Sequence, residues 1–181
     1  MEDNRKLLLN CALDLFAARG YDAVGVQEVA DAAGLKNPTL YHYFGNKVGL
    51  LQTLLHENFI DLFEALEKVS QYDRNVAPTL TAIATVYFSF AAKHRKFYRL
   101  QLSMLFAPQE SAACAATNAI NYKQRLLLEA FFLQAAQDHG NMRERHPAYA
   151  ATFLGMLNTY ISMSLANDAV LDDDLARIAV H

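Results

Sequence analysis

Between Asn37 and Lys47 the chain compresses two helix starts and one helix stop into a single run, Asn-Pro-Thr-Leu-Tyr-His-Tyr-Phe-Gly-Asn-Lys. That punctuation leaves room for a helix of less than two turns and little else. Asn37 suits an N-cap, because its side-chain oxygen can accept from the free amides of the first turn. Pro38 fits the first helical position, where its missing N–H costs nothing. Gly45 can close the helix in a left-handed conformation, and Asn46 can cap the next one. Thr39, Tyr41, His42 and Tyr43 crowd the interval with hydroxyls, a ring nitrogen and flat rings. A helix so short is not stable alone. Its neighbours must hold it, and its polar groups are then displayed.

Those neighbours lie upstream. Val26, Val29, Ala30 and Ala33 have the spacing of a short amphipathic helix, with Gly25 as a tolerable N-cap and Glu28 placed to reach back to it. Gly34 and Leu35 then separate this helix from the next. Two short helices joined by a few residues including a glycine make a helix-turn-helix, whose second helix enters the DNA major groove. Further upstream, Leu8, Cys11, Ala12, Leu15 and Phe16 recur at helical spacing, and Arg19-Gly20-Tyr21 stops that helix. The expectation is an all-α chain opening with a three-helix headpiece over residues 1–60, its helix-turn-helix spanning about 25–44.

On Leu15-Phe16, Gly20-Tyr21, Val29-Ala30, Ala33-Gly34-Leu35, Thr39-Leu40-Tyr41, Tyr43-Phe44 and Asn46-Lys47, the chain resembles the TetR family of bacterial transcriptional regulators. The resemblance runs from about Leu8 to Leu54. It implies a DNA-binding regulator, most commonly a repressor, that grips a near-palindromic double-stranded operator as a homodimer and is released by a small molecule. It also assigns roles by position. Val26 and Gln27 fall where the second helix touches backbone and base edges; a glutamine there can pair bidentately with adenine. Lys36, Asn37, Pro38, Thr39 and Tyr43 fall on base-facing positions. Tyr41 and His42 match phosphate- and sugar-gripping positions, and Lys47 matches a phosphate-contacting lysine. Gly25 departs from the pattern, which usually has a hydroxyl residue there.

Charge complicates this reading. The formal net charge is −3. Within residues 1–50, Arg5, Lys6, Arg19, Lys36 and Lys47 face Glu2, Asp3, Asp14, Asp22, Glu28 and Asp31, whereas DNA-binding domains are more commonly basic. Helix N-termini at Gly25, Asn37 and Asn46 offer amides to phosphates without formal charge. Modest nonspecific affinity and a shallow salt dependence are therefore expected. Hydrophobic residues make up 53% and charged residues 19%, the balance of a globular chain. The sequence shows no apolar run of the roughly 18 residues that cross a membrane and no signal peptide at its start. A cytoplasmic protein is expected. Cys11 and Cys114 match no disulfide or zinc spacing, and no cofactor is implied.

Beyond Lys47 the pattern is helical throughout, and residues 61–181 read as an effector-binding and dimerisation domain. A long amphipathic helix over 47–70 is shared between headpiece and body. Further helices are expected over 78–93, 96–106, 112–137 and 147–167, with a short last one opening at Asp172–Asp174. The 147–167 helix carries two apolar stripes: Leu154, Leu157, Ile161 and Leu165, then Tyr149, Phe153, Met156, Tyr160 and Met163. One stripe would serve the core and the second a dimer partner; a helix buried wholly within the monomer is the simpler alternative. Aromatics crowd the middle helices. Phe63, Tyr87, Phe90, Tyr98, Gln101, Phe106, Tyr122 and Phe131 are the candidates for lining an effector pocket, with an apolar or aromatic effector expected. Plain core is the competing reading.

Two rival functions fit the residues less well. An all-helical enzyme would need a nucleophile with a base, paired carboxylates or a metal cluster. The histidines have no ligand spacing, and His139, Glu144 and His146 read more simply as a surface turn. A protein-interaction or sensor module with a vestigial headpiece would have little reason to keep so many polar groups on one short helix. The basic cluster Lys93, His94, Arg95, Lys96 and Arg99 reads as a solvated helix junction, because no stacking platform accompanies it.

Overall fold

The computed structural model of the chain describes residues 2–180. Its helices are α1 (Glu2–Arg19), α2 (Val26–Ala32), α3 (Asn37–Phe44), α4 (Lys47–Val69), α5 (Val76–Lys93), α6 (Arg95–Ser103), α7 (Ala112–Asp138), α8 (His146–Leu165) and α9 (Asp173–Ile178), with one 3-10 turn at Gly140–Met142. No strand occurs among the described residues. The helices group into two compact units. The first takes the chain up to Phe59 together with Lys96–Ile120, and the second takes Ile60–Arg95 and the chain from Asn121 onward.

In the first unit, α1 buries Leu8, Ala12 and Phe16, residues four apart that line one side of a helix. Val29 and Ala30 of α2 and Leu40 of α3 are wholly buried, and Phe44 nearly so. Each such large side chain is worth roughly 1.5–3 kcal/mol of burial, which is how two helices too short to persist alone are held. The link between α2 and α3 is closed by Leu35 N–H donating to Ala30 O at 2.9 Å and Gly34 N–H to Asp31 O at 3.0 Å. This is the double bond pattern that ends a helix through a left-handed residue. Gly34 supplies that residue at φ 65°. Cys11, which shares the helical spacing of Leu8, Ala12 and Phe16, is only half-buried; its thiol is pushed up by burial and then by Asp14.

The second unit is built on aromatic rings. Phe132 stacks on Tyr149 with centroids 5.6 Å apart and meets Phe153 edge-on at 6.4 Å. Phe131 lies edge-on to both Phe132 and Tyr72, and Phe88 to Tyr160. Pairs of this kind add about 0.5–1.5 kcal/mol beyond their buried area. Two polar devices close helix ends. Arg95 donates to Ser164 O at 3.0 Å and to Asn167 Oδ1 at 3.3 Å beyond the end of α8. Asp172 Oδ1 accepts from Leu175 N–H at 2.8 Å and caps α9.

Helix α5 differs from the sequence expectation. Its 18 residues reach a mean hydropathy of 1.2, which by length and composition is enough to cross a membrane. Leu80, Ile83, Ala84, Tyr87, Phe88 and Ala91 are nevertheless buried against the rest of the unit, the arrangement of a core helix.

Candidate nucleic-acid interface

The residues expected to meet DNA all fall in the first unit, on or beside α2, α3 and the start of α4. Leu40 and Phe44 point into the core. Lys36, Pro38, Tyr41 and His42 are exposed, and Thr39 and Tyr43 are half-exposed. Thr39 and Tyr43 are four residues apart and so lie on one side of α3. Tyr41 is 46% exposed, high for an aromatic side chain of this size. His42 and Tyr43 meet edge-on at 5.3 Å. The short helix thus keeps its apolar pair inward and presents hydroxyls and rings outward.

Asn37 departs from expectation. Lys36 occupies the N-cap position and makes no side-chain cap bond, while Asn37 is the first helical residue. The Asn37 amide is engaged elsewhere: its Nδ2 donates to Gln27 Oε1 on α2. Gln27 Nε2 in turn donates to Asp31 Oδ1 at 2.7 Å. Gln27 is therefore not a free side chain awaiting a base. Half-exposed Val26, beside it, begins α2.

The cap of α2 is also rebuilt. Gly25 has no side chain to accept a bond, but its N–H donates to Glu28 Oε1 at 3.0 Å. Glu28 also receives the Arg19 guanidinium. Its carboxyl is held below the usual carboxylate range, first by the Gly25 N–H and then by Arg19. One half of a capping box thus does the work that a hydroxyl residue at position 25 would share.

Lys47 is docked on aromatic rings. Its Nζ sits 4.2 Å from the Tyr21 ring centroid and 6.0 Å from that of Phe16. Burial lowers its pKa, against the opposing pull of Asp22 and Glu28. A cation over ring faces ties the start of α4 back to α1 and the turn that follows it. The junction before it is tight. Gly45 ends α3 at φ 72°, Asn46 Oδ1 accepts from Gly49 N–H at 2.8 Å, and a Cβ on Gly49 would stand 2.0 Å from Phe44 O. Only a glycine fits there. Sequence reading missed Gly49 and the Gln27–Asp31 bond; a glycine inside a helical run and an i,i+4 polar pair were the available signals.

Two basic residues find intramolecular partners. Lys96 pairs with Asp14 of α1 at 2.6 Å within the first unit, and Arg95 closes α8. The cluster at 93–99 is therefore divided among separate structural tasks.

The expected pocket residues are scattered. Phe106 is 94% exposed and Tyr122 is largely exposed, so neither is enclosed. Phe63 is buried under the Lys123 ammonium, 4.1 Å from its centroid. Tyr98 and Gln101 are buried in the first unit; Phe90 and Phe131 are buried in the second. Tyr87 is fully enclosed, and its hydroxyl donates to Gln124 Oε1 at 3.1 Å. Burial pushes the Tyr87 phenol well up. A cleft of about 570 Å³ in the first unit is lined by Arg5, Gln52, His56, Glu57, Ala116 and Ile120. A groove of about 600 Å³ in the second runs along Pro78, Thr81, Thr85, Val86 and Arg177. Neither is lined by the residues expected from sequence.

On α8 the buried residues are Ala150, Phe153, Leu157, Ile161 and Ser164. Phe153, expected on a partner-facing stripe, is thus committed to the unit's own core. Tyr149, Met156 and Tyr160 are half-exposed, and Met163 is 40% exposed.

The family model described as "Bacterial regulatory proteins, tetR family" matches residues 8–54, the segment that holds α1, the α2–α3 pair and the Gly49 junction. Over this segment the chain belongs to the TetR family. It is a DNA-binding transcriptional regulator and not an enzyme. Over 175 residues it is 25% identical to the HTH-type transcriptional activator FasR of Mycolicibacterium smegmatis, covering 97% of this chain and 78% of that one. Other curated relatives align over less than half of their own length. Among solved structures it is similar to AibR in complex with isovaleryl coenzyme A and operator DNA, with a TM-score of 0.70 and 26% identity over 97% of this chain and 94% of that one. FadR from Bacillus subtilis in complex with stearoyl-CoA shares the fold at a TM-score of 0.80 and 20% identity, over 97% and 95% of the two chains.

Proposed function

We propose that this TetR-family regulator is a cytoplasmic repressor that holds a near-palindromic operator as a homodimer and lets go when an acyl-coenzyme A thioester binds. The observation that carries the DNA half is α3: its apolar pair is buried while Thr39, Tyr41, His42 and Tyr43 face outward. In this reading Lys36, Asn37, Pro38, Thr39 and Tyr43 meet bases, with Val26 and Gln27 of α2 beside them. Tyr41, His42 and the Lys47 ammonium meet the backbone. Residues 1–60 bind DNA and residues 61–181 sense and dimerise. Paired reading helices must reach successive major grooves about 34–36 Å apart, which a dimer supplies. Its contact is proposed on the outer side of α8, around Met156, Tyr160 and Met163.

The effector class rests on similarity to AibR, solved with isovaleryl coenzyme A, and on the chemistry of the body. An apolar acyl chain suits the aromatic character of its interior.

Selection from random duplex DNA with the purified chain, followed by gel shift and light scattering, tests both halves. The expected result is one enriched near-palindrome, a dimeric mass, and release by isovaleryl- or stearoyl-coenzyme A but not by coenzyme A alone. Failure to enrich any sequence would sink the DNA reading. A monomeric mass at micromolar concentration would sink the dimer, and retention of the operator under every acyl thioester would sink the effector class.

A further inference from the structure

The side chains of Asp31, Gln27 and Asn37 form a continuous hydrogen-bonded relay across the helix-turn-helix, from α2 to the first residue of α3. Asp31 Oδ1 accepts from Gln27 Nε2 at 2.7 Å, and Gln27 Oε1 accepts from Asn37 Nδ2. The direction of this relay is set at one end. An ionised carboxylate only accepts, so Asp31 draws the NH2 end of the Gln27 amide and turns its oxygen toward Asn37. Asn37 must then turn its own NH2 toward Gln27. Neither amide can flip without setting two acceptors, or two donors, against each other.

An inventory of what remains gives the functional consequence. A glutamine amide has two N–H donors and two oxygen lone pairs. The relay uses one donor and one lone pair, leaving Gln27 one of each. One donor beside one acceptor is the combination that adenine takes in the major groove, through N7 and the N6 amino group. Gln27 and Asp31 are exposed, and Asn37 is half-buried with its Oδ1 enclosed and unpartnered. The reading edge is thus that of Gln27, and Asn37 backs it.

We propose that Asp31 is a specificity-positioning residue: it touches no base, but by fixing the direction of the Gln27 and Asn37 amides it determines which base Gln27 accepts. This rests on the DNA-binding reading above. An acidic residue near a DNA interface would otherwise only repel phosphate. The relay gives this one a reason to be there in a headpiece whose formal charge is not basic.

The test uses the full chain, its selected operator, and operators substituted at each position in turn. Gln27→Ala first locates the position whose preference Gln27 sets. Asp31→Ala releases the relay and is expected to lower discrimination at that position alone by about tenfold, within the range of a bidentate base contact. Asp31→Asn places an amide that can donate as well as accept, so the relay is no longer held in one direction, and discrimination at that position is expected to fall as it does in Asp31→Ala. Both variants lie on an exposed site, and thermal unfolding of each verifies that the headpiece is intact.

A purely electrostatic role predicts something else: both variants would tighten binding to every sequence alike and leave discrimination unchanged. That result would overturn the proposal, as would a Gln27→Ala variant that alters no single position. If the parent chain enriches no DNA sequence at all, the DNA reading itself fails. If the parent reads its operator but Asp31→Ala does so equally well, the relay alone fails.

Discussion

The helix-turn-helix and the aromatic body solve the same problem, holding helices together, by different means. In α2 and α3 a few apolar residues point inward, and much of the order comes from backbone turns and polar caps: Glu28 on Gly25, Asn46 on Gly49, the Leu35–Ala30 closure. In the body, stacked and edge-on rings between Phe131, Phe132, Tyr149 and Phe153 supply the cohesion. A thin core with many directional bonds leaves side chains free to be read. A thick aromatic core leaves few. Recognition and stability therefore rest on different residues, and substitutions should separate them.

The largest expected effect is in the body. Phe88→Ala removes a ring that is 1% exposed and should lower unfolding free energy by about 3–5 kcal/mol, measured by chemical denaturation. A loss under 1 kcal/mol would mean that the aromatic interior is not the source of cohesion claimed for it. Gly49→Ala comes next. Its Cβ meets backbone at Phe44 O, so helix α3 or α4 must shift, at about 1–3 kcal/mol. Operator binding should be lost while the body's aromatic near-ultraviolet signal persists. Full binding by this variant would show that the junction does not set the attitude of α3.

Asp172→Ala probes a directional bond within the body. Loss of the α9 cap should cost about 1 kcal/mol, and operator affinity in the absence of effector should be unchanged. The smallest effect is that of acid. Glu28 has a folded pKa below its unfolded one, so its contribution to stability is complete above the unfolded value of about 4.3 and fades as pH falls through the folded value. A pH titration below 5, followed by proton exchange at the Gly25 amide, should show the start of α2 opening there. In the Glu28→Gln variant this extra opening should be absent.

Much of this molecule was legible in its residues. Helical spacing at Leu8, Ala12 and Phe16, glycines at 20, 34 and 45, and the polar-aromatic filling of 37–47 determined the first three helices and their order. Each of these signals acts within a few residues, where sequence distance and spatial distance agree. The second helical region was legible as helices, but not as an arrangement. Phe153 and Met163 share a stripe by spacing, yet one is buried and the other exposed. Phe106 looked like pocket lining and stands in solvent. Which of several apolar faces turns inward depends on neighbours distant along the chain, and no local period records that.

The same limit applied inside the headpiece. Residue type marked Asn37 as a cap, and the family resemblance marked Gln27 as a base reader and Lys47 as a phosphate contact, roles that each side chain's chemistry permits. Tertiary structure decided among the partners on offer. Asn37 is ten positions from Gln27 and is bonded to it, and Lys47 is folded onto the Tyr21 ring. A side chain's chemistry sets what it is able to bind. What it does bind is set by the groups that the fold brings within about 3 Å of it.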